Sequence, residues 1–166
     1  MMKYIKANEH AHGAKRPRGD VRYIIIHYTG TDYDRAENNA RYFQKWNTRS
    51  AGAHFFIDRD GTIVKSVALN LVAWSVGGKK YVNTKGGSMH GIITNANSVS
   101  IELCDNLNKD PSPEQIEGVK KCIKYIRKYC KNANNVYRHY DVTGKQCPAR
   151  MVSDKKWQEF KNKIGE

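Results

Sequence analysis

The residues best equipped for chemistry in this chain are a histidine and a cysteine close together near its end. His139 and Cys147 stand eight positions apart in the run Arg138-His139-Tyr140-Asp141-Val142-Thr143-Gly144-Lys145-Gln146-Cys147-Pro148. Neutral imidazole and thiolate are both good zinc ligands, and two ligands on one short loop cost little chain entropy to bring together. Lys145 puts a positive charge two residues before Cys147, which favours the thiolate form that binds metal. The pair becomes a site only if other parts of the chain supply a third ligand and a reacting group.

Several elements can position those further groups. Residues 21–26, Val-Arg-Tyr-Ile-Ile-Ile, form a β-branched and aromatic run that suits a central strand covered on both faces. The run stops at His27-Tyr28-Thr29-Gly30, where strand ends and glycine turns tend to build sites. The alternative for His27 is a histidine satisfied by a backbone carbonyl. Residues 98–103 alternate, with Val99, Ile101 and Leu103 on one face and Ser98, Ser100 and Glu102 on the other. Glu102 thus projects from an otherwise interior strand, where a carboxylate is costly unless it is paired or lies near a cation. Residues 53–58 read as a strand carrying His54, a second candidate ligand. Asp60-Gly61 turns that strand back into residues 62–65 as a hairpin.

The pattern also predicts three helices. Residues 34–46 place Ala36, Ala40, Phe43 and either Tyr42 or Trp46 on one inward face, with Asp32 or Asp34 as cap. Residues 113–130 have Ser112 as N-cap, Pro113 at the first turn and Gln115 completing a capping box. Their stripe of Ile116, Val119, Ile123, Ile126 and Cys130 suits packing on a sheet, with Cys122 and Cys130 as small core residues. Residues 153–164 form the last helix, with Trp157, Phe160 and Ile164 inward, and a short strand over 135–139 leads into His139. Residues 69–97 are glycine-rich and irregular, and a long loop of that kind is usually functional or mobile. Within it Trp74 either stacks on a sugar or peptide or plugs the loop onto the core, and His90 is a further candidate for contact with substrate.

Composition narrows the class. At 166 residues the chain reads as one domain, residues 21–166, preceded by a basic arm, residues 1–20, that wraps its surface. Lys and Arg number 29 against 16 Asp and Glu, a net charge of +13, which favours polyanionic surroundings such as nucleic acid, anionic lipid or anionic wall polymers. No apolar run is long enough to span a bilayer, and the first residues lack the apolar core of a secretion signal. Cys104, Cys122, Cys130 and Cys147 show no CxxC pair, so reduced thiols are expected.

Five stretches then occur in the order in which they stand in one family: residues 24–29, Ile-Ile-Ile-His-Tyr-Thr; residues 54–61, His-Phe-Phe-Ile-Asp-Arg-Asp-Gly; Ala73-Trp74; residues 97–103, Asn-Ser-Val-Ser-Ile-Glu-Leu; and Arg138-His139 with Lys145-Gln146-Cys147-Pro148. In these the chain resembles the zinc-dependent N-acetylmuramoyl-L-alanine amidases of the type 2 family, which includes phage endolysins, bacterial autolysins and peptidoglycan recognition proteins. The resemblance implies an α/β fold with a central mixed sheet flanked by helices. It implies one Zn2+ held by His27, His139 and Cys147, with Glu102 as acid/base and Lys145 matching a catalytic lysine. Trp74, Asn95, His54 and Thr29 are the expected substrate contacts. Where some family members carry a tyrosine, this chain has Ala53, which shifts weight onto Glu102.

The implied reaction is hydrolysis of the amide between N-acetylmuramic acid and L-alanine in bacterial peptidoglycan. Two imidazoles and one thiolate leave a fourth zinc position open, the mark of a catalytic site. Glu102 would move the water proton to the leaving amine, and a donor such as Lys145 at the oxyanion is typically worth about 3 kcal/mol. The expected partners are muramyl peptides and anionic wall polymers, with no specific nucleic acid and no membrane insertion. The expected protein is a monomer, made without a signal peptide and acting on the wall after release. The alternatives are a peptidoglycan-binding protein without catalysis, against which Cys147 argues, and a basic nucleic-acid binder, for which no basic-aromatic motif is present.

Overall fold

The computed structural model describes residues 2–166. Its elements run β1 (Lys3–Tyr4), β2 (His12–Lys15), β3 (Tyr23–Tyr28), α1 (Ala36–Lys45), β4 (Phe55–Ile57), β5 (Ile63–Lys65), β6 (Leu71–Ala73), β7 (Ser98–Leu103), α2 (Pro113–Tyr129), β8 (Asn135–Arg138), α3 (His139–Thr143) and α4 (Asp154–Ile164). Six strands form one mixed sheet in the order β1-β5-β4-β7-β3-β8, and β2 pairs with β6 in a separate ribbon. The α/β class is as the pattern predicts, and the mixed sheet is as the resemblance implies.

The β-branched run of β3 lies between two parallel neighbours, β7 and β8. Its side chains alternate between two layers. Ile24 and Ile26 enter the main core with Val99, Ile101 and Leu103 of β7, under the apolar stripes of α2 and α4. Ile25 faces the opposite way, into a smaller cluster with Val76, Ile93 and Val142. That second layer is made of the irregular 74–97 segment and α3, and the functional face of the sheet opens into it. Further along the sheet, α1 covers β4 and β5 through Ala36, Ala40, Phe56 and Val64.

Over its described residues, 2–20, the arm is more ordered than a surface loop. β1 extends the sheet beside β5, β2 pairs with β6, and Arg16 is almost fully buried. The guanidinium of Arg16 donates to Asn95 O at 2.7 Å and Ala96 O at 2.8 Å, and its Nη2 lies 3.1 Å from His54 Nε2. Such short strands carry too few residues for a periodic signal, so the sequence pattern missed them.

Two helix details differ from expectation. Trp46 is 69% exposed, because α1 ends at Lys45 and the residue leaves the inward face. The cap of α1 comes from across the chain: Asp58 Oδ1 accepts the Ala36 amide at 2.6 Å, whereas Asp34 accepts from the Asp105 amide and from Asn39. Burial pushes the Asp58 carboxyl upward, and the Ala36 amide and Arg35 act against that. Asp58→Ala is expected to cost about 1–2 kcal/mol, the range for a lost cap, read as a lower urea midpoint with unchanged slope. In α2 Ser112 caps Gln115 N as expected. The Gln115 side chain instead donates to Ile57 O and Cys104 O, tying α2 to the sheet.

Candidate metal centre and active-site groove

Register alone brings two of the candidate groups side by side. In the parallel pairing of β3 with β7, His27 is the partner of Glu102, so both side chains leave the same face at the C-terminal ends of their strands. On the other side of β3, Ile26 pairs with Arg138, and His139 follows as the first residue of α3. Three neighbouring strands thus deliver His27, Glu102 and His139 to one sheet edge. Crevices beyond the carboxyl ends of parallel strands are where open α/β sheets place their sites.

Cys147 arrives by a different route. α3 is five residues long and ends at Gly144, whose φ of 83° lies in the left-handed region that favours glycine. The chain then doubles back, and the Tyr140 amide donates to Cys147 O at 2.9 Å. The start of α3 is held by a buried ion pair. Arg138 Nη2 lies 2.6 Å from Asp141 Oδ1, the Arg138 amide donates to Asp141 Oδ2 at 2.8 Å, and Arg138 Nη1 donates to the carbonyls of Met151 and Val152. This clamp fixes the segment that carries His139 and the return to Cys147. The sequence pattern did not isolate it, although Arg138 and Asp141 flank His139 at helix-start spacing.

The three candidate ligands converge. Donor atoms of His27, His139 and Cys147 all lie within 4.8 Å of one another, and all three residues are buried. Cys147 Sγ is 3.8 Å from His27 Nδ1, and the two imidazole centroids are 4.6 Å apart. Ligand atoms around a tetrahedral ion with bonds of about 2.0–2.3 Å stand about 3.5 Å apart, so a small inward shift completes a three-ligand set. His27 Nε2, His139 Nδ1 and Glu102 Oε2 are buried with no hydrogen-bond partner. The unpartnered His139 Nδ1, the His27 Nδ1 beside the thiol and Cys147 itself make an imidazole, imidazole and thiol cluster that fits a divalent metal ion. Glu102 Oε1 is 3.9 Å from His27 Nδ1, beside the ligands.

The electrostatics follow from burial. His139 is pushed down to about 4 by burial and then by Lys145. Burial, followed by His139, Lys145 and His54, holds His27 well below its ordinary value. Both rings are therefore neutral and able to ligate at physiological pH. Burial pushes the Cys147 thiol up to about 12, with Glu102 adding to the rise. Lys145 acts in the expected direction on that thiol, but burial outweighs it, so a bound cation must displace the proton. Glu102 is raised to about 8, chiefly by burial, with Lys145 opposing and Asp34 adding.

A groove of about 560 Å³ runs past this centre, lined by His139 and Lys145 together with Thr143 and the 77–82 segment. The other expected contacts lie elsewhere. His54 is fully buried: its Nδ1 is 3.1 Å from the Ser100 hydroxyl and its Nε2 is 3.1 Å from Leu71 O and from Arg16. Burial and Arg16 push it down to about 3, as suits a neutral structural imidazole with no face left for substrate or metal. Asn95 Oδ1 accepts the amides of Ser75 and Val76, so it shapes the loop from below. Trp74 is 36% exposed with its ring against Gly13, where an added Cβ would come within 2.5 Å of it. Thr29 donates its amide and its hydroxyl to Leu103 O. None of these four lines the groove, and Ala53 is buried under α1. The 77–82 wall falls within the 69–97 loop marked in sequence, but its groove-lining residues were not singled out there, although Lys79-Lys80-Tyr81 after Gly77-Gly78 was a visible signal.

Comparison with known proteins bears on the family and the fold. The family model described as N-acetylmuramoyl-L-alanine amidase matches residues 17–150. N-acetylmuramoyl-L-alanine amidase BlyA of Bacillus subtilis (strain 168) is 31% identical over 173 residues, covering 97% of this chain and 45% of its own length. N-acetylmuramoyl-L-alanine amidase CwlL of Bacillus licheniformis is 29% identical over 158 residues, covering 91% and 42%. The chain therefore spans less than half the length of these curated relatives. Among solved structures, PlyL superposes with a TM-score of 0.77 at 19% identity, over 99% of this chain and 96% of that one. The catalytic domain of XlyA gives 0.74 at 23% identity, over 99% of both. The same fold thus recurs in both, and with a family match that runs from Pro17 to Arg150 and takes in His27, Glu102, His139 and Cys147, this chain belongs to the N-acetylmuramoyl-L-alanine amidase family.

Proposed function

We propose that this chain is a zinc-dependent hydrolase of the amide between the lactyl group of N-acetylmuramic acid and L-alanine in bacterial peptidoglycan, working as a lytic enzyme. The observation that carries the reading is the convergence of His27, His139 and Cys147 beside the buried carboxyl of Glu102. Two nitrogens and one sulfur suit zinc, and a three-ligand set leaves a position free for catalysis. When bound, zinc supplies Lewis acidity for the carbonyl and the attacking water.

The chain's own groups supply the proton traffic and the positioning. Glu102 lies beside the ligands, where it accepts the proton of the attacking water and returns it to the leaving alanine amine. Its raised proton affinity suits both halves of that exchange, since an acid/base works best when its pKa lies near the working pH. Lys145 faces the groove next to His139 and offers positive charge to the developing oxyanion. Arg138 and Asp141 hold α3 so that ligand and lysine keep their places. The charge of +13 favours approach to a wall rich in anionic polymer.

The test is mass spectrometry of wall digested by the zinc-loaded protein. The expected products are peptides with a new N-terminal alanine and glycan whose muramic acid carries a free lactyl carboxyl. Products cut between sugars, or within the peptide, would contradict the reading.

Zinc uptake should also depend on pH. Cys147 keeps its proton far above neutrality while both histidines are already neutral there, so binding displaces at least one proton. Apparent zinc affinity is expected to rise about tenfold or more per pH unit between about pH 6.5 and 8. Competition with a chromophoric chelator measures this, and a flat profile would show that the thiolate is not a ligand.

A further inference from the structure

One side of the groove is a wall of cations beyond the metal ligands. Lys79, Lys80 and Lys145 line the groove, and among the described residues no Asp or Glu does. Among the described residues neither Lys79 nor Lys80 enters an ion pair. The wall is anchored to the helix that carries His139. The Tyr81 amide donates to Thr143 O at 2.7 Å, and the Gly87 amide donates to Tyr140 O at 2.9 Å. His90 Nε2 lies 3.2 Å from Gly78 O. The stem of Lys80 lies over Gly87, where an added Cβ would come within 2.7 Å of Lys80 Cε. Three like charges held along one groove repel one another, and an anion placed among them relieves that repulsion.

The chemistry of the substrate says which anion. In a muramoyl peptide the lactyl carboxyl is consumed in the amide to be cut, and the neighbouring N-acetylated sugars are neutral. Free acids therefore lie on the peptide side of the bond, and the first of them in sequence belongs to the second residue. We propose that Lys79 and Lys80 bind this second-residue carboxylate, so that the enzyme selects stem peptides in which it is free over those in which it is amidated. The inference rests on the amidase reading above. It assigns the 77–82 wall to the peptide and directs the glycan elsewhere along the surface.

The experiment compares kcat/KM on two synthetic muramoyl peptides that differ only in whether the second-residue carboxylate is free or amidated, with the C-terminus amidated in both. The native enzyme should favour the free acid about tenfold, as expected for one charge-assisted contact. In Lys79→Ala/Lys80→Ala the preference should fall to about one, and in Lys79→Glu/Lys80→Glu the amidated form should become the better substrate. Equal cleavage of both peptides by the native enzyme would overturn the proposal and leave the amidase reading standing, as would a preference that survives in both variants. Cleavage of neither at the muramoyl bond would overturn the amidase reading and this proposal together.

Discussion

Replacing Glu102 by glutamine is expected to slow cleavage of the muramoyl–alanine bond by about 10²–10⁴-fold, the usual contribution of a positioned acid/base group. The substitution is chosen because the metal-free site already favours the neutral carboxyl: burial raises Glu102 to about 8, so glutamine reproduces the shape and charge of the form present at pH 7. Fold and zinc content should therefore be retained, and only proton transfer is removed. The sign of the linked stability effect follows the same way. A carboxyl raised above its unfolded value stabilises the metal-free protein fully below about pH 4.5, and that contribution is lost as pH rises toward about 8. Glutamine binds no proton in either state, so E102Q should remove this slope from urea titrations of the metal-free protein. Wild-type turnover by a zinc-loaded E102Q protein would take Glu102 out of the mechanism.

The second large effect is expected at Cys147. Cys147→Ser exchanges a soft thiolate for a hydroxyl that stays protonated, and zinc affinity should fall by more than about 100-fold, the upper end of what losing a mere hydrogen-bond partner of a ligand costs. Activity should fall in step and return in part only at high zinc concentration. The side chain is 2% exposed and lies 3.8 Å from His27 Nδ1, so the substitution changes one donor atom and little packing. Chelation of the wild-type protein should produce the same loss, reversed by adding zinc back. A Cys147→Ser protein that binds zinc as tightly as the wild type would place the ion elsewhere.

What the sequence revealed depended on how far each signal reaches along the chain. The central strand was legible because Ile24, Ile25 and Ile26 form an unbroken apolar run, and β7 because Val99, Ile101 and Leu103 alternate. α2 announced itself through Ser112, Pro113 and a stripe of five apolar residues from Ile116 to Cys130. His27 and Glu102 stood out as polar groups at the edge of such runs, where burial needs a reason, and register makes them neighbours. The parts that stayed hidden rest on long-range pairing. Asp58 caps a helix 22 residues before it, and Arg16 joins His54 to Asn95 and Ala96 across the chain. α3 has five residues, too few to show helical periodicity, yet it delivers His139 to the site. His54 invited a functional reading for the same reason as His27, a histidine within an apolar strand. What separates them is partners: His54 has hydrogen bonds to both ring nitrogens, while His27 Nε2 has none.

The most direct measurement is X-ray absorption at the zinc edge on protein loaded with one equivalent of the metal. The account predicts one sulfur at about 2.3 Å and two imidazole nitrogens with one further light-atom ligand at about 2.0–2.1 Å. A zinc shell without sulfur, or one filled by four protein side chains with no exchangeable position, would contradict it.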